Sequence, residues 1–193
     1  FINKKISPND RFFVAGATGM VGSALCRILK SKGYGKIKEG GEILKPKRKE
    51  LNLLNYDEVK QWFEYNKPSV VILAAARVGG IFANSNYPYN FLIENLKIQN
   101  NVIEASWQNG VRRFMFLGSS CIYPKFAEQP IKEESLLTGS LEPTNESYAL
   151  AKITGIKLCE SLRIQHGFDA ITLMPTNLYG IGDNFHPKNS HVM

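Results

Sequence analysis

The chain reads Gly16-Ala17-Thr18-Gly19-Met20-Val21-Gly22 between a predicted strand and a predicted helix. The strand is the apolar run from Arg11 to Ala15, and apolar residues at helical spacing follow the last glycine. A strand that turns into a helix through three glycines lets the backbone approach a pyrophosphate, which the free N–H groups and positive dipole end of the helix then bind. The turn therefore predicts a dinucleotide site, and the alternative is an ordinary glycine-rich turn.

The composition is that of a soluble globular protein. The 193 residues suffice for one domain with a substantial core, or for one domain and the start of another. Hydrophobic residues at 44% and charged residues at 21% exclude a disordered or fibrous chain. The longest apolar run, Val70 to Ala76, is too short to cross a bilayer, and the first residues lack the apolar stretch of a secretory signal. We therefore expect no membrane association, and Phe1 suggests a chain that begins inside a longer one.

The cysteines and the net charge indicate which kinds of site and ligand to expect. Cys26, Cys121 and Cys159 are odd in number and lack metal-ligand spacing, so we expect neither disulfides nor a metal site, and a cytoplasmic compartment fits best. The net charge of +7 includes a cluster of cations between Lys45 and Lys49, without the basic and aromatic interleaving that is typical of nucleic-acid binding. We expect a small-molecule ligand and no nucleic-acid partner.

Strands and helices alternate along the rest of the chain. Besides the first strand, we expect strands at residues 43–44, 69–76, 113–117 and 170–173, and long helices at about 89–109 and 146–166. Five strands separated by helices predict an α/β fold, a doubly wound parallel sheet of Rossmann type with helices on both faces.

The two long helices have predicted inner and outer sides. On the first, we expect Leu92, Leu96, Ile103 and Trp107 to face inward, and Asn95 and Lys97 to be ordinary polar-face residues. On the second, the inward residues are expected to be Ala151, Leu158, Cys159 and Leu162. Cys26 and Cys159 are interpreted as core residues.

The segment after the second strand indicates the choice of coenzyme. In doubly wound folds an acidic residue here binds the ribose 2′-hydroxyl of NAD, whereas a basic residue accommodates the 2′-phosphate of NADP. The strand runs into Lys45-Pro46-Lys47-Arg48-Lys49. We therefore infer NADP(H), and the alternative is a solvated basic loop.

Candidate chemical groups follow the fourth predicted strand and lie on the last long helix. Ser119 and Cys121 stand at the carboxyl end of the 113–117 strand, the edge where open α/β sheets bind ligands. Tyr148 and Lys152 lie four residues apart, on one helical face. A nearby ammonium and a cationic nicotinamide are expected to lower the phenol pKa from about 10, so that Tyr148 exchanges a proton with a carbonyl substrate during hydride transfer, with Ser119 bonded to the same oxygen. Taken alone, such a pair is also typical of a surface aromatic beside a solvated lysine.

The combination resembles the extended short-chain dehydrogenase/reductase family from Arg11 to the end of the chain. Within it, several segments resemble the GDP-L-fucose synthase family. They are Ala74-Ala75-Ala76-Arg77-Val78-Gly79-Gly80-Ile81, Ser119-Ser120-Cys121-Ile122-Tyr123-Pro124-Lys125, Leu141-Glu142-Pro143-Thr144-Asn145, Met174-Pro175-Thr176-Asn177-Leu178-Tyr179-Gly180, Asp183-Asn184-Phe185-His186-Pro187 and Asn189-Ser190-His191-Val192.

This resemblance implies a bifunctional enzyme that acts on GDP-4-keto-6-deoxy-D-mannose. Cys121 and His191 match the family's acid and base for 3,5-epimerisation, while Ser119, Tyr148 and Lys152 match its residues for NADPH-dependent reduction at C4. The family is a homodimer that pairs two long helices from each subunit, which would here be those at 89–109 and 146–166.

The resemblance also implies the residues of the coenzyme site. They are Gly16, Ala17, Thr18, Gly19, Met20, Val21, Gly22, Arg48, Lys49, Glu50, Leu51, Asn52, Leu53, Leu117, Gly118, Ser119, Ser120, Lys152, Pro175, Thr176, Asn177, Leu178 and His191. Arg48 is expected to bind the 2′-phosphate, since a planar guanidinium donates two hydrogen bonds to a phosphate.

The sequence also departs from the family pattern. Ala17-Thr18 stands where bacterial members often carry His-Arg, and Ile181-Gly182 replaces a usual proline. Because family chains run well past this length, we expect residues 1–180 to form the NADP-binding domain and residues 181–193 to begin a substrate-binding part that is truncated here. Two alternatives remain: a nucleotide-sugar 4-epimerase or 4,6-dehydratase with tightly held NAD, and a non-catalytic NADP-binding module.

Overall fold

The computed structural model describes residues 5–183, which form a five-stranded parallel sheet with helices. The strands are β1 (Arg11–Ala15), β2 (Glu42–Leu44), β3 (Val70–Leu73), β4 (Arg113–Leu117) and β5 (Ala170–Leu173). The helices are α1 (Met20–Ser31), α2 (Tyr56–Asn66), α3 (Ile81–Asn86), α4 (Pro88–Gln108) and α5 (Glu146–His166). The predicted alternation is confirmed. Over this described range, every helix is too short or too polar to be a membrane span.

The strand order places a crevice beside the glycine turn. The sheet runs β2-β1-β3-β4-β5, so the chain leaves β1 toward one side and returns at β3 on the other. Connections that diverge in this way open a crevice at the carboxyl ends of the two strands. The turn that follows β1 therefore lies next to the loop that follows β3.

The third strand is shorter than its apolar sequence predicted. It ends at Leu73, which pairs with Ala15, the last residue of β1. The Ala74 N–H still donates to the Ala15 carbonyl, at 3.0 Å, but at Gly16 the neighbouring chain turns away. Residues 74–80 leave the sheet where β1 ends, and they form a loop at the crevice.

Apolar side chains cover both faces of the sheet, as predicted. On one face, residues of β1, β3 and β4 such as Phe13 and Phe116 pack with α2, α4 and α5. On the other face, Val14 and Ile72 pack against Leu25 of α1. Each fully buried aliphatic or aromatic side chain contributes about 1.5–3 kcal/mol, so this core holds the carboxyl edge in place.

The inner face of α4 differs from the prediction. Ile103 is buried and Trp107 packs against the core, as expected, but Leu92 and Leu96 are only partly buried. Asn95 and Gln99 are each 2% exposed, so assigning Asn95 to the polar surface was wrong, whereas Lys97 is exposed.

These buried amides are tolerated because their polar atoms have partners. Gln99 Nε2 donates to the Ala151 carbonyl at 2.7 Å, which joins α4 to α5. On α5, Ala151 and Cys159 are buried, and Leu158 and Leu162 pack against the core, as predicted.

Candidate active site

A cavity of about 590 Å³ opens at the carboxyl edge of the sheet. This size lies within the range of about 300–1,000 Å³ that is usual for ligand and cofactor sites. Its lining includes most of the residues predicted to bind the coenzyme. They are Gly16, Thr18, Gly19, Met20, Val21, Gly22, Arg48, Leu51, Asn52, Leu53, Leu117, Gly118, Ser119, Ser120, Lys152, Pro175, Thr176, Asn177 and Leu178.

Four predicted coenzyme residues are placed elsewhere or not described. Ala17 is buried against the apolar cluster under α1 rather than lining the cavity. Lys49 and Glu50 are exposed, and Glu50 instead accepts a hydrogen bond from the Lys47 N–H at 2.9 Å. His191 lies outside the described residues, as do Asn184 to Pro187 and Asn189 to Val192 of the segments quoted above.

The glycine turn is built for a close approach of backbone to ligand. Gly16 has a φ of +83°, and a Cβ there would lie 2.9 Å from the carbonyl oxygen of Ala74 on the β3 side. A Cβ on Gly22 would lie only 2.1 Å from the Gly16 carbonyl oxygen, so the turn fits against α1 only without a side chain. Within the described residues, α1 has no side-chain cap and no acidic residue in its first turn. Its first N–H groups are therefore suited to an anion such as a pyrophosphate.

The basic segment after β2 contributes unequally to the cavity. Arg48 and Pro46 line it, whereas Lys45, Lys47 and Lys49 do not and are exposed. The acidic residue of β2, Glu42, sits at the start of the strand, where it forms an ion pair of 3.1 Å with Arg11. Of the cations that motivated the NADP prediction, Arg48 is thus the one that reaches the cavity.

Ser119 stands where β4 ends and the chain turns into a short 3-10 helix, Ser120–Ile122. Its Oγ accepts a hydrogen bond from the Cys121 N–H at 3.3 Å, so the side chain that caps this turn also faces the cavity. Gly118 keeps this strand end close to β5, since a Cβ there would lie 3.2 Å from the Leu173 carbonyl oxygen.

Tyr148 and Lys152 lie one turn apart on α5 and line the same cavity. Lys152 is 4% exposed, and its Nζ donates to the carbonyl of Leu117, the last residue of β4, at 2.7 Å. The ammonium lies 4.9 Å from the centroid of the Phe116 ring and 5.7 Å from that of Tyr148. Such cation–π contacts partly offset the cost of burying the charge.

The pKa of Tyr148 shifts in the direction opposite to the one expected from the sequence. Burial raises the pKa of Tyr148, the neighbouring Cys121 raises it further, and a hydrogen bond with Ser119 opposes them only in part. Burial also lowers the pKa of Lys152 to about 8. The expectation that the neighbouring ammonium lowers the pKa of the phenol is therefore wrong for the protein's own groups, because burial is the largest influence on this pKa and raises it. Tyr148 is protonated at neutral pH and is suited to donate a proton.

The three cysteines separate into one near the site and two in the core. Cys121 is half-buried beside Ser119, in the 3-10 helix that packs against α5, and it raises the pKa of Tyr148, although it is outside the cavity lining. Cys159 is buried in the main core, and burial raises its pKa to about 12. Cys26 packs against the apolar cluster under α1, as predicted.

Sequence reasoning missed three charged residues of the lining, Arg77, Glu94 and Asp183. Arg77 belongs to the loop after β3, and its Nη1 donates to Glu94 Oε1 at 2.7 Å. The signal was present, because Arg77 directly follows the apolar run of β3 and carboxyl strand ends carry ligand-binding residues in such sheets.

Comparisons with known proteins match this chain to a family model and to curated relatives. Residues 12–193 match the model of the NAD dependent epimerase/dehydratase family. The chain is 57% identical over 183 residues to GDP-L-fucose synthase 1 of Arabidopsis thaliana, covering 95% of this chain and 55% of that protein. It is 54% identical over 184 residues to GDP-L-fucose synthase of Escherichia coli K12, covering 95% and 56%. The chain thus spans about half the length of the curated relatives it matches.

A solved structure of a related protein has the same fold. A GDP-D-glycero-L-gluco-heptose synthase from Campylobacter jejuni, crystallised in the presence of NADPH, superimposes with a TM-score of 0.90 at 39% identity. The match covers 97% of this chain and 53% of that one.

Proposed function

Because the chain belongs to the NAD dependent epimerase/dehydratase family, we propose that the full-length protein has GDP-L-fucose synthase activity. It converts GDP-4-keto-6-deoxy-D-mannose to GDP-L-fucose by 3,5-epimerisation and then reduction at C4. The observation that carries this proposal is the convergence of Ser119, Tyr148 and Lys152 on the cavity of the glycine turn. The identities of 57% and 54% to relatives of that name support the choice of substrate.

The proposed coenzyme is NADP(H), which supplies the hydride when bound. The first N–H groups of α1 would hold its pyrophosphate, and Arg48 would hold the 2′-phosphate. The side-chain-free cradle at Gly16 and Gly22, and the position of Arg48 in the lining, fit this group. The other predicted coenzyme residues, including His191, remain part of the proposal.

In the reduction, Tyr148 donates its proton to the C4 oxygen of the sugar. The phenol is protonated at neutral pH, as a proton donor must be, since its ordinary pKa is about 10 and burial raises it further. Ser119 bonds to the same oxygen and fixes its position. Lys152, with a pKa of about 8, remains largely cationic at neutral pH and holds the nicotinamide ribose.

In the epimerisation, the C4 ketone acidifies the protons at C3 and C5. Inversion at each carbon requires a base on one face of the sugar and an acid on the other. Cys121 and His191 take these roles, since thiols and imidazoles have ordinary pKa values close enough to neutrality, about 8.5 and 6.5, to exchange protons in either direction. The nearness of Cys121 to Tyr148 supports a shared substrate for the two steps.

The proposal also includes the domain division, the oligomeric state and the cellular compartment of the protein. Residues 1–180 form the coenzyme domain, and residues 181–193 begin the substrate-binding part. The protein is a homodimer that pairs α4 and α5 of two subunits and works in the cytoplasm on a small-molecule substrate. A 4-epimerase or 4,6-dehydratase is less well supported, since the relatives at 57% and 54% identity carry the synthase name.

The test uses the full-length protein with GDP-4-keto-6-deoxy-D-mannose and NADPH, while the absorbance of the reduced nicotinamide is followed. We expect one NADPH to be oxidised for each keto sugar consumed. Turnover of a nucleotide sugar without net NADPH oxidation would support the epimerase or dehydratase instead. NADPH binding without any turnover would support the non-catalytic module.

A further inference from the structure

The ring of Phe116 lies against the backbone of α5 at Gly155. A Cβ on Gly155 would lie 2.5 Å from Cζ and 2.9 Å from Cε1 of that ring. Both residues are buried, and Phe116 is 1% exposed. Because the interior is closely packed, the ring can occupy this position only while residue 155 has no side chain.

Gln99 of α4 bounds the same space from the other side. The Cβ on Gly155 would lie 3.0 Å from Gln99 Cδ, and Gln99 is 2% exposed. Its Nε2 donates to the carbonyl of Ala151 at 2.7 Å. Ala151 directly precedes Lys152, so this bond fixes α5 beside the lysine as well as beside the ring.

The ring of Phe116 also contacts the ammonium of Lys152. Lys152 lies three residues before Gly155, on the same face of α5. Three neutral groups contact its Nζ: the Leu117 carbonyl at 2.7 Å, the Phe116 ring with its centroid at 4.9 Å, and the Tyr148 ring with its centroid at 5.7 Å. Two successive residues of β4 therefore hold the ammonium, one through its carbonyl and the other through its ring.

The ring favours the charged form of a lysine that burial disfavours. Burial lowers the pKa of Lys152 to about 8. The face of an aromatic ring carries partial negative charge, which stabilises an ammonium but not a neutral amine. Removal of the Phe116 ring would therefore lower this pKa further. In the described part of the chain, the other titratable groups of the cavity lining and of the adjoining 3-10 helix are Tyr148, Arg48, Arg77, Glu94, Asp183 and Cys121.

We propose that Phe116 is a positioning residue whose ring, fixed by Gly155 and Gln99, holds the Lys152 side chain at the cavity wall in its ammonium form. Phe116 is itself outside the cavity lining, so it acts through the lysine. The ammonium has three N–H donors, of which the Leu117 carbonyl accepts one. The others are available to the hydroxyls of a bound nucleotide, and this consequence rests on the proposed function.

The test is the pKa of Lys152 in the full-length protein without coenzyme. Lysine isotopically labelled at the ε carbon is incorporated, the Lys152 resonance is assigned by its loss in Lys152→Met, and its shift is followed by NMR as the pH is raised. We expect Phe116→Leu to lower this pKa by about one unit. The pH at which NADPH binding weakens should fall by the same amount.

A matched control separates positioning from stability. Phe114 lies two residues earlier on β4, on the same face of the sheet, and it is fully buried. Its ring packs with Phe168, at 5.8 Å between centroids. Phe114→Leu removes an equivalent ring, so it should lower the melting temperature as Phe116→Leu does and leave the pKa of Lys152 unchanged.

A second variant keeps the ring and displaces it. Alanine is a better helix former than glycine, so an effect on α5 alone would make Gly155→Ala neutral or stabilising. The added Cβ must push the Phe116 ring away, and we expect the pKa of Lys152 to fall, by less than in Phe116→Leu. Gly155→Ala carries the test if Phe116→Leu does not fold.

The inference is overturned if Phe116→Leu leaves the pKa of Lys152 unchanged or raises it, or if Phe114→Leu lowers it equally. Because the titration uses no coenzyme, a wild-type protein that fails to bind NADPH would refute the proposed coenzyme alone. A lowered pKa with an unchanged pH profile of NADPH binding would support the role of Phe116 and contradict the proposed contact of Lys152 with the coenzyme.

Discussion

The two sides of the cavity hold their charged groups in opposite ways. On the β4–α5 side, Lys152 is buried, bonded to the end of β4, and has a pKa lowered to about 8. On the β2 side, Arg48 and its lysine neighbours are exposed to solvent. Desolvated groups respond strongly to their surroundings, while exposed charges are screened. In the proposed function, proton transfer and coenzyme choice are therefore served by separate parts of one site.

The largest effect is expected from a substitution on the buried β4–α5 side of the cavity. Tyr148→Phe removes the proposed proton donor, and we expect kcat for NADPH oxidation to fall by about 10³-fold, within the usual contribution of general acids. The Kd for NADPH, measured by fluorescence titration, should change by less than about threefold, because the ring and its contact with Phe91 are kept. Retention of most of the kcat would contradict the assignment of proton transfer to the buried side of the cavity.

A second substitution separates the two proton-transfer steps. Cys121→Ser should slow exchange of solvent deuterium into C3 and C5 of the keto sugar by about 10²-fold, since a hydroxyl is a far weaker acid than a thiol. Mass spectrometry of the recovered sugar reports this rate. Cys159→Ala, in the core, is the control and should lower stability but not exchange. Equal losses of exchange and NADPH binding in Cys121→Ser would mean that the thiol is structural.

A smaller effect is expected on the exposed side. Arg48→Ala should weaken NADPH binding roughly tenfold or more, because a charged hydrogen bond to phosphate is lost, and should leave NADH binding nearly unchanged. Lys49→Ala, which removes an exposed charge off the cavity lining, should change either Kd by less than about threefold. If Lys49→Ala matched Arg48→Ala, the 2′-phosphate would be recognised by the charge of the whole loop.

The smallest effect concerns pH. The pKa of Lys152 is lowered from its ordinary value to about 8, so its charge is present below that pH and is lost as the pH rises through it. If the ammonium holds the nicotinamide ribose, NADPH binding should weaken by about threefold to tenfold between pH 7 and pH 9. Titrations across this range should show a flat profile for Lys152→Met. A flat wild-type profile would contradict the role of this charge.

Much of the fold was predictable because periodicity and strand ends are local properties of the sequence. The length of β3 was not, since its apolar run continues to Ala76 while the strand stops where β1 stops. Asn95 was misassigned because its residue type is typical of surfaces, and its partner, Arg77, is brought to it only by the fold.

The residues that line the candidate site were easier to predict from the sequence than their pKa values. Helical spacing placed Tyr148 and Lys152 on one face, and the end of β4 placed Ser119 opposite them. The direction of the tyrosine pKa was wrong, because sequence reveals which charges are near but not how far each group is removed from water.

The most direct test of this division is kcat at saturating NADPH in the full-length Arg48→Ala protein, measured beside Tyr148→Phe. The account predicts that Arg48→Ala keeps kcat within about threefold of the wild type while KM for NADPH rises, since a binding contact is lost and the proton donor is intact. A kcat for Arg48→Ala that fell as far as that of Tyr148→Phe would contradict it.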